Sequence, residues 1–180
     1  MAALLTSEKF VKSVTAISDN VAGKYLLPCI RESQEFALKG IVGGALYDKL
    51  IQIVGDDTIH GEGNEAYLAL LKEAQYFLAY SALVELARRI SYKVGNLGLA
   101  KTQDENIYQS SDVEIGRQQE FYESKADGYA QTLQEWILEH RAAYPELSEA
   151  CCERIKSNLY SSASCGIFLG GARGRRLPRV

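Results

Sequence analysis

The stretch NEAYLALLKEAQYFLAYSALVELARRISYK, residues 64–93, decides the fold class. Apolar side chains recur along it at intervals of three and four residues, which is the spacing of one face of an α-helix. The residues on this face are Tyr67, Leu70, Leu71, Ala74, Phe77 and Leu78. Alanines and other good helix formers fill many of the positions between them. The sequence therefore predicts a core helix of about 30 residues.

A second helical pattern of similar length follows. Ser111 and Glu114 have the spacing of a capping box, and Pro145 ends the pattern. Its apolar positions are Phe121, Tyr122, Tyr129, Leu133, Trp136, Ile137 and Tyr144. Each of the two helices would be roughly 45 Å long, and a chain of 180 residues can bury them only against one another. The predicted fold is all-α: a helical bundle built on two long antiparallel helices plus shorter helices.

The shorter helices begin near the N-terminus. Thr6 or Ser7 is placed to cap a helix that ends near Ser13. The polar residues that follow suit a turn, in which Ser18 or Asp19 would cap the next helix.

That next helix is expected at residues 21–39, where apolar residues including Phe36 recur at mostly helical intervals. Pro28 must either kink it or begin a new one, and Gly40 would end it. A compact helix is predicted at residues 43–54, and a final short helix follows Pro145.

The two long helices are joined by a polar segment at residues 94–112 that is too long for a simple antiparallel turn. Loops of this length in a compact domain usually either have a function or are disordered. A short hairpin could form within it by pairing residues 97–102 with residues 106–109.

Charge is divided unevenly along the chain. The full sequence has 20 Lys and Arg against 23 Asp and Glu, a formal net charge of −3. Residues 151–180 contain six Lys and Arg and one Glu, or +5, which leaves −8 for residues 1–150. An acidic body repels nucleic acid, whereas a basic arm attracts nucleic acid or an acidic protein surface. The two parts are therefore expected to have different partners.

The C-terminal stretch CGIFLGGARGRRLPRV, residues 165–180, differs from the rest of the chain. Its apolar run between glycines is typical of a strand that needs a sheet edge from another chain. We divide the chain into a helical domain at residues 1–158 and an extended Gly/Arg arm at residues 159–180. Candidate partner-binding residues in the arm are Ile167, Phe168, Leu169, Arg173, Arg175, Arg176 and Arg179.

Motifs for catalysis or cofactor binding are not found in the sequence. It has no G-x-S-x-G and no G-x-x-x-x-G-K-[ST], and the glycines at 170–174 precede only six residues, so no helix N-terminus can receive a phosphate. The four cysteines lack the paired spacing of a zinc site. We therefore expect no enzyme activity, no cofactor and no metal.

One loop leaves an alternative open. Asp56, Asp57, His60 and Glu62 could form a metal-binding or acid–base cluster, although a solvated loop is the favoured interpretation. The N-terminal residues do not have the pattern of a secretory signal, and residues 77–84 are too short an apolar window to span a membrane. A soluble, intracellular protein is expected.

Three segments carry a resemblance to a known family. They are P-x-I-R-x-x-Q-x-F from Pro28, G-x-x-L-Y-x-x-L from Gly43, and N-x-G-x-x-x-T-x-x-x-N from Asn96 to Asn106. In these segments and in its helix order, over about residues 4–145, the chain resembles small uncharacterised proteins of Bacteroidetes-type phages and prophages. That family is similar in length and helical layout to the head-tail connector (adaptor, or head-completion) proteins of tailed phages.

The resemblance implies a virion structural protein located at the head-tail junction and assembled in the host cytoplasm. About a dozen copies would form a homo-oligomeric ring that docks on the portal protein and carries a downstream neck or tail protein. Genomic DNA would pass through the ring without specific binding, and no membrane is involved. Asn96, Thr102 and Asn106, in the third segment, are further candidate partner-binding residues.

The alternative is an intracellular nucleic-acid-binding or regulatory protein whose basic C-terminal tail binds the phosphates of nucleic acid. Four arginines can make phosphate contacts, but the charge of −8 on residues 1–150 opposes close approach.

Overall fold

The computed structural model describes residues 3–95, 98–101 and 112–163. In chain order the elements are α1 (Glu8–Val14), α2 (Gly23–Glu32), a π-helix (Ser33–Leu38), α3 (Lys39–Val42), α4 (Gly44–Gly55), α5 (Glu65–Ser91), β1 (Tyr92–Gly95), β2 (Gly98–Lys101), α6 (Asp112–Glu139), a 3-10 helix (Arg141–Ala143) and α7 (Glu149–Ala163). The predicted all-α helical bundle is confirmed. Within the described residues, the only β-structure is the short β1–β2 hairpin.

The two long helices, α5 and α6, form the largest interface of the fold and run antiparallel, as predicted. Near the end of α5, Arg88 Nη2 donates to Glu123 Oε1 of α6 at 2.7 Å. At the start of α5, Tyr67 meets Tyr144, which lies just after α6, with ring centroids 5.7 Å apart. The end of α5 therefore lies beside the first half of α6, and the start of α5 lies beside the end of α6.

The main core lies where α4, α6 and α7 meet α5. Its most buried side chains include Leu46, Leu50, Leu70, Leu78, Leu133, Ile137 and Ile155. Burying one such aliphatic side chain contributes roughly 1.5–3 kcal/mol. A second cluster packs α1 and α2 against the C-terminal half of α5. Its residues are Val11, Leu26, Cys29, Ile30, Ala79, Ala82, Leu83 and Leu86.

Two phenylalanines predicted in buried faces are exposed instead. Phe36 in the π-helix is 78% exposed and Phe121 in α6 is 50% exposed. Helical spacing alone placed both in apolar stripes, but the cores are filled by neighbouring positions on the same helices.

The predicted capping residues are confirmed for α1 and wrong for α2. Ser7 Oγ accepts a hydrogen bond from Phe10 N at 3.1 Å and caps α1. α2 begins only at Gly23, after Ala22, which makes no side-chain capping bond. Ser18 Oγ instead accepts from Asn20 N at 3.3 Å, so it stabilises a turn that precedes the helix.

The interruption in the segment after Ala22 is a π-helix and not a break at Pro28. Pro28 lies inside α2, and the chain continues through the π-helix into α3. The segment ends at Gly43 rather than at Gly40, because Gly43 has a left-handed φ of 85°. A Cβ at Gly43 would also lie 3.1 Å from Cys151 Sγ of α7.

Gln34 ties the π-helix to the N-terminal segment. Its side chain is fully buried, with Oε1 accepting from Leu5 N at 3.1 Å and Nε2 donating to Ala3 O at 2.9 Å. Gln75 of α5 donates to Leu5 O at 3.0 Å. The glutamine of the P-x-I-R-x-x-Q-x-F segment is therefore a structural residue.

The hairpin differs from the predicted pairing. Gly98–Lys101 pairs antiparallel with Tyr92–Gly95, so the first strand comes from the end of the expected helix. Residues 106–109 lie outside the described residues. The last helix ends at Ala163, which makes residues 159–163 of the expected arm helical.

Candidate functional site

A groove of about 440 Å³ lies between the π-helix and α3 on one side and α5 and α6 on the other. Its apolar lining consists of Ala37, Ile41, Phe77, Val84 and Ala126. Its polar lining consists of Ser81, Glu85, Arg88, Glu123 and Asp127. Phe77, Val84 and Ala126 are buried, so they form the floor, whereas Arg88 and Glu123 are about half exposed and form the rim.

The rim of this groove is acidic. Arg88 bridges the two long helices, with Nη1 3.2 Å from Glu85 Oε1 and Nη2 2.7 Å from Glu123 Oε1. Asp127 forms no ion pair with the part of the chain that the structure describes. Three carboxylates against one guanidinium leave the rim with a formal charge of −2. The groove therefore suits a ligand with apolar side chains followed by positive charge.

The π-helix borders this groove through Ala37 and carries an exposed aromatic ring at the preceding position. Phe36 is the most exposed large hydrophobic side chain of the described residues. Gly40, four residues further on, faces open space. π-helical turns frequently occur at functional sites. An exposed ring adds apolar area on which a partner could bind.

A row of aromatic rings forms a second exposed surface. The tyrosine row consists of Phe10, Tyr76, Tyr129 and Tyr80. Phe10 packs edge-on against Tyr76 at 5.5 Å, and Tyr129 stacks between Tyr76 at 5.7 Å and Tyr80 at 5.3 Å. Tyr76 is 40% exposed. Exposed tyrosines that are held rigid by stacking are enriched in protein–protein interfaces.

The tyrosine row and the groove lie on different sides of the α5–α6 pair. The row is bordered by α1 through Phe10, whereas the groove is bordered by the π-helix and α3 through Ala37 and Ile41. Neither surface was predicted from the sequence, because each combines residues from three or more separate elements. The sequence contains eleven tyrosines, but their number does not show which of them pack together.

A pair of buried phenols fixes the connection between α6 and α7. Tyr67 Oη donates to Glu146, with its two carboxylate oxygens at 2.9 and 3.0 Å, and Tyr144 Oη donates to Ala66 O at 2.8 Å. Burial, with the Glu146 carboxylate as a second cause, raises the pKa of Tyr67 to about 12. Burial and the neighbouring Tyr67 also raise the pKa of Tyr144. Both phenols therefore stay neutral and act as structural hydrogen-bond donors.

The loop at residues 56–62 does not gather its acids into a site. Asp56, Asp57, His60 and Glu62 are all exposed. Across residues 3–95, 98–101 and 112–163, no group of three or more His, Cys, Asp or Glu is placed to hold a metal ion. The favoured interpretation of this loop, a solvated connection, agrees with these positions.

The cysteines of the described residues are free thiols. Burial raises the pKa of Cys29 to about 11, which keeps this thiol protonated and unreactive near neutral pH. Cys151 Sγ lies 3.6 Å from Val42 O and packs α7 against the end of α3.

The candidate partner-binding residues predicted from the sequence lie outside the described residues. These are Asn96, Thr102, Asn106, Ile167, Phe168, Leu169, Arg173, Arg175, Arg176 and Arg179. None of the helices that the structure describes is both long enough and apolar enough to cross a membrane.

Comparison with known proteins identifies a family but no function. No curated protein and no solved structure matches the chain. The profile of one family, described as a family of unknown function (DUF6712), matches residues 38–157. This match covers the end of the π-helix and nearly all of the main core, including α3 to α6 and the first part of α7. The chain therefore belongs to the DUF6712 family.

Proposed function

We propose that this protein is a virion structural protein, a head-tail connector (adaptor) subunit of a phage or prophage. About a dozen copies would form a ring that docks on the portal, extends the DNA channel and provides a platform for a neck or tail protein. The protein would act at the head-tail junction by assembly and not by catalysis. The motifs from Pro28, Gly43 and Asn96 are the source of this proposal.

The observation that carries the proposal is the presence of two unlike exposed surfaces on one helical body. A ring requires a heterologous interface, in which one surface of a subunit meets a different surface of its neighbour. The tyrosine row offers a rigid aromatic surface, and the acidic groove offers a concave one on another side of the α5–α6 pair. A subunit of this kind can bind a neighbour on each side.

The charge distribution agrees with a channel wall. Each Lys or Arg that neutralises a DNA phosphate adds affinity, so a surface along which DNA must slide should carry few cations. Residues 1–150 carry a net charge of −8. The arginines of the C-terminal segment and the residues of the 94–112 segment would then contact other proteins of the neck.

The oligomeric state tests this proposal. Full-length protein would be studied by size-exclusion chromatography with light scattering and by negative-stain electron microscopy, alone and mixed with the portal protein of the same genome. We expect rings in at least one of the two samples. A strictly monomeric protein without affinity for the portal would count against a connector.

A matched pair of variants tests the contribution of the tyrosine row. Tyr76 and Tyr25 are both exposed tyrosines, at 40% and 44%, but only Tyr76 belongs to the row. Tyr76→Glu should convert rings into monomers, because a carboxylate would be buried in the subunit interface. Tyr25→Glu should leave rings intact. Equal effects of the two substitutions would exclude the row as the interface, and circular dichroism would verify that both variants are folded.

The alternative function, nucleic-acid binding by the basic C-terminal tail, rests on the charge of +5 on residues 151–180. It predicts a gel shift that weakens with salt and disappears when residues 170–180 are deleted. We expect no such shift at physiological salt, since the acidic body opposes it.

A further inference from the structure

We infer that the groove between the π-helix and α6 binds the C-terminal segment CGIFLGGARGRR, residues 165–176, of the same chain. The inference concerns the free subunit. It does not depend on the proposed ring, because it rests only on the groove, on α7 and on the sequence of residues 165–176.

The chemistry of the segment matches that of the groove. Near its start the segment has three adjacent apolar residues, Ile167, Phe168 and Leu169, and the groove floor is formed by Phe77, Val84 and Ala126. Such a floor favours apolar side chains, since contact with it removes the surface of the segment's own apolar residues from water.

The charges of segment and groove are also complementary. Residues 165–176 contain three arginines and no acid, and the rim carries three carboxylates and one guanidinium. The guanidinium group binds carboxylates with paired hydrogen bonds. Gly170 and Gly171 separate the apolar part from the arginines and allow the chain to bend from the floor to the rim.

The last helix contacts the edge of the groove before the segment begins. Arg154 Nη2 of α7 lies 3.5 Å from Ile41 O, and Ile41 lines the groove. α7 ends at Ala163, nine residues or about 13 Å beyond Arg154. Residues 164–169 can span about 20 Å when extended, so the apolar residues can return to the groove from the end of α7.

Attachment to the same chain favours this occupant over a second copy. A short tether gives a segment an effective concentration in the millimolar range, far above the micromolar concentration of other copies in a typical sample. The segment of the same chain should therefore fill the groove of the free subunit first.

Disulfide trapping in the full-length protein tests the inference with the native Cys165. Ser81 lines the groove, whereas Ser124 lies on α6 in a different surface depression, beside Tyr129. Ser81→Cys and Ser124→Cys are near-isosteric changes that should leave the fold intact, as circular dichroism would verify. Each variant would be oxidised with glutathione disulfide, digested with trypsin and analysed by mass spectrometry.

The tryptic peptides identify the linkage without ambiguity. Cys165 lies in peptide 157–173 and position 81 lies in peptide 73–88, and neither peptide contains any other native cysteine. We expect a monomeric product that links Cys165 to position 81, formed at least about tenfold faster than the link to position 124. Equal rates for the two variants would overturn the inference. Linkage found only in dimers would also overturn it, since the occupant would then be a second copy.

A charge substitution tests the role of the rim. Asp127→Lys in the Ser81→Cys protein should slow the linkage at least about threefold and weaken its dependence on salt. An unchanged rate would show that the arginines do not bind the rim. Ring formation is measured separately, so a failed linkage and a failed connector proposal are distinguishable.

Discussion

The two sides of the α5–α6 pair are covered by different kinds of contact. The tyrosine row and the second cluster close one side with aromatic rings and with α2 packed against alanines of α5. The other side keeps an open groove with a charged rim, bordered by the π-helix and by α3, whose Ile41 O lies 3.5 Å from Arg154 Nη2 of α7. Apolar packing tolerates small changes in side-chain volume, whereas removing a single donor or acceptor atom abolishes a buried hydrogen bond. The row side is therefore a rigid surface, and the groove side can accept a chain segment.

The largest expected effect is at Gln34, in the π-helix that borders the groove through Ala37. Gln34→Ala removes the partners of Leu5 N–H and Ala3 C=O and leaves a cavity. We expect a loss of about 3–5 kcal/mol in the free energy of unfolding, measured with urea. Gln75→Ala, the control, removes one bond from a half-buried side chain and should cost about 1 kcal/mol. Similar losses in the two variants would disprove the special role of Gln34.

The pH dependence of stability tests the contact of Tyr67 with Glu146, which lies just before α7. Because burial raises the pKa of Tyr67 to about 12, the neutral phenol stabilises the fold below the unfolded pKa near 10. This contribution is lost as the pH rises from 10 to 12, with a decrease of about 1–3 kcal/mol in the free energy of unfolding.

Urea unfolding at a series of pH values would measure this decrease. Tyr67→Phe should make the decrease between pH 10 and 12 smaller, while the raised pKa of Tyr144 keeps part of the slope. Tyr25→Phe, at an exposed tyrosine outside this contact, is the control. If the free energy of unfolding of Tyr67→Phe falls as steeply between pH 10 and 12 as that of the wild type, the raised pKa of Tyr67 does not cause the decrease.

The row side should respond more weakly to a single change. Tyr129→Leu removes two stacked ring contacts but keeps an apolar side chain, so we expect a loss of about 1–2 kcal/mol in the free energy of unfolding. Thermal unfolding would measure it. A loss as large as that of Gln34→Ala would remove the distinction between the two sides.

The smallest effect is expected at the groove rim. Arg88→Met keeps the apolar stem and removes two exposed ion pairs, which should cost less than about 1 kcal/mol. Urea unfolding at low and high salt would measure the cost and its screening. If Arg88→Met costs more than about 2 kcal/mol, the rim is part of the scaffold and not a free surface.

The fold was largely predictable from apolar periodicity. α4, α5 and α6 lie close to their predicted positions, because each repeats apolar residues over three or more turns. The π-helix was not predictable, since a change from i+4 to i+5 hydrogen bonding leaves little trace in the apolar spacing. Gln34 is polar and fully buried, and Phe36 is apolar and 78% exposed, so both reverse the usual expectation.

The candidate surfaces were less predictable than the fold. Phe10, Tyr76 and Tyr129 are distant in sequence and come together only through helix packing. The same holds for Ile41, Glu85 and Asp127 in the groove. The sequence predictions of partner-binding residues concerned the 94–112 segment and the C-terminal arm, where local composition alone gives a signal.

The mass of the particle formed by the full-length protein with its portal tests the central claim most directly. Light scattering and electron microscopy of the wild type, Tyr76→Glu and Tyr25→Glu would be compared under identical conditions. The connector proposal predicts rings for the wild type and Tyr25→Glu, and monomers for Tyr76→Glu. A wild-type protein that stays monomeric and does not bind the portal would contradict it.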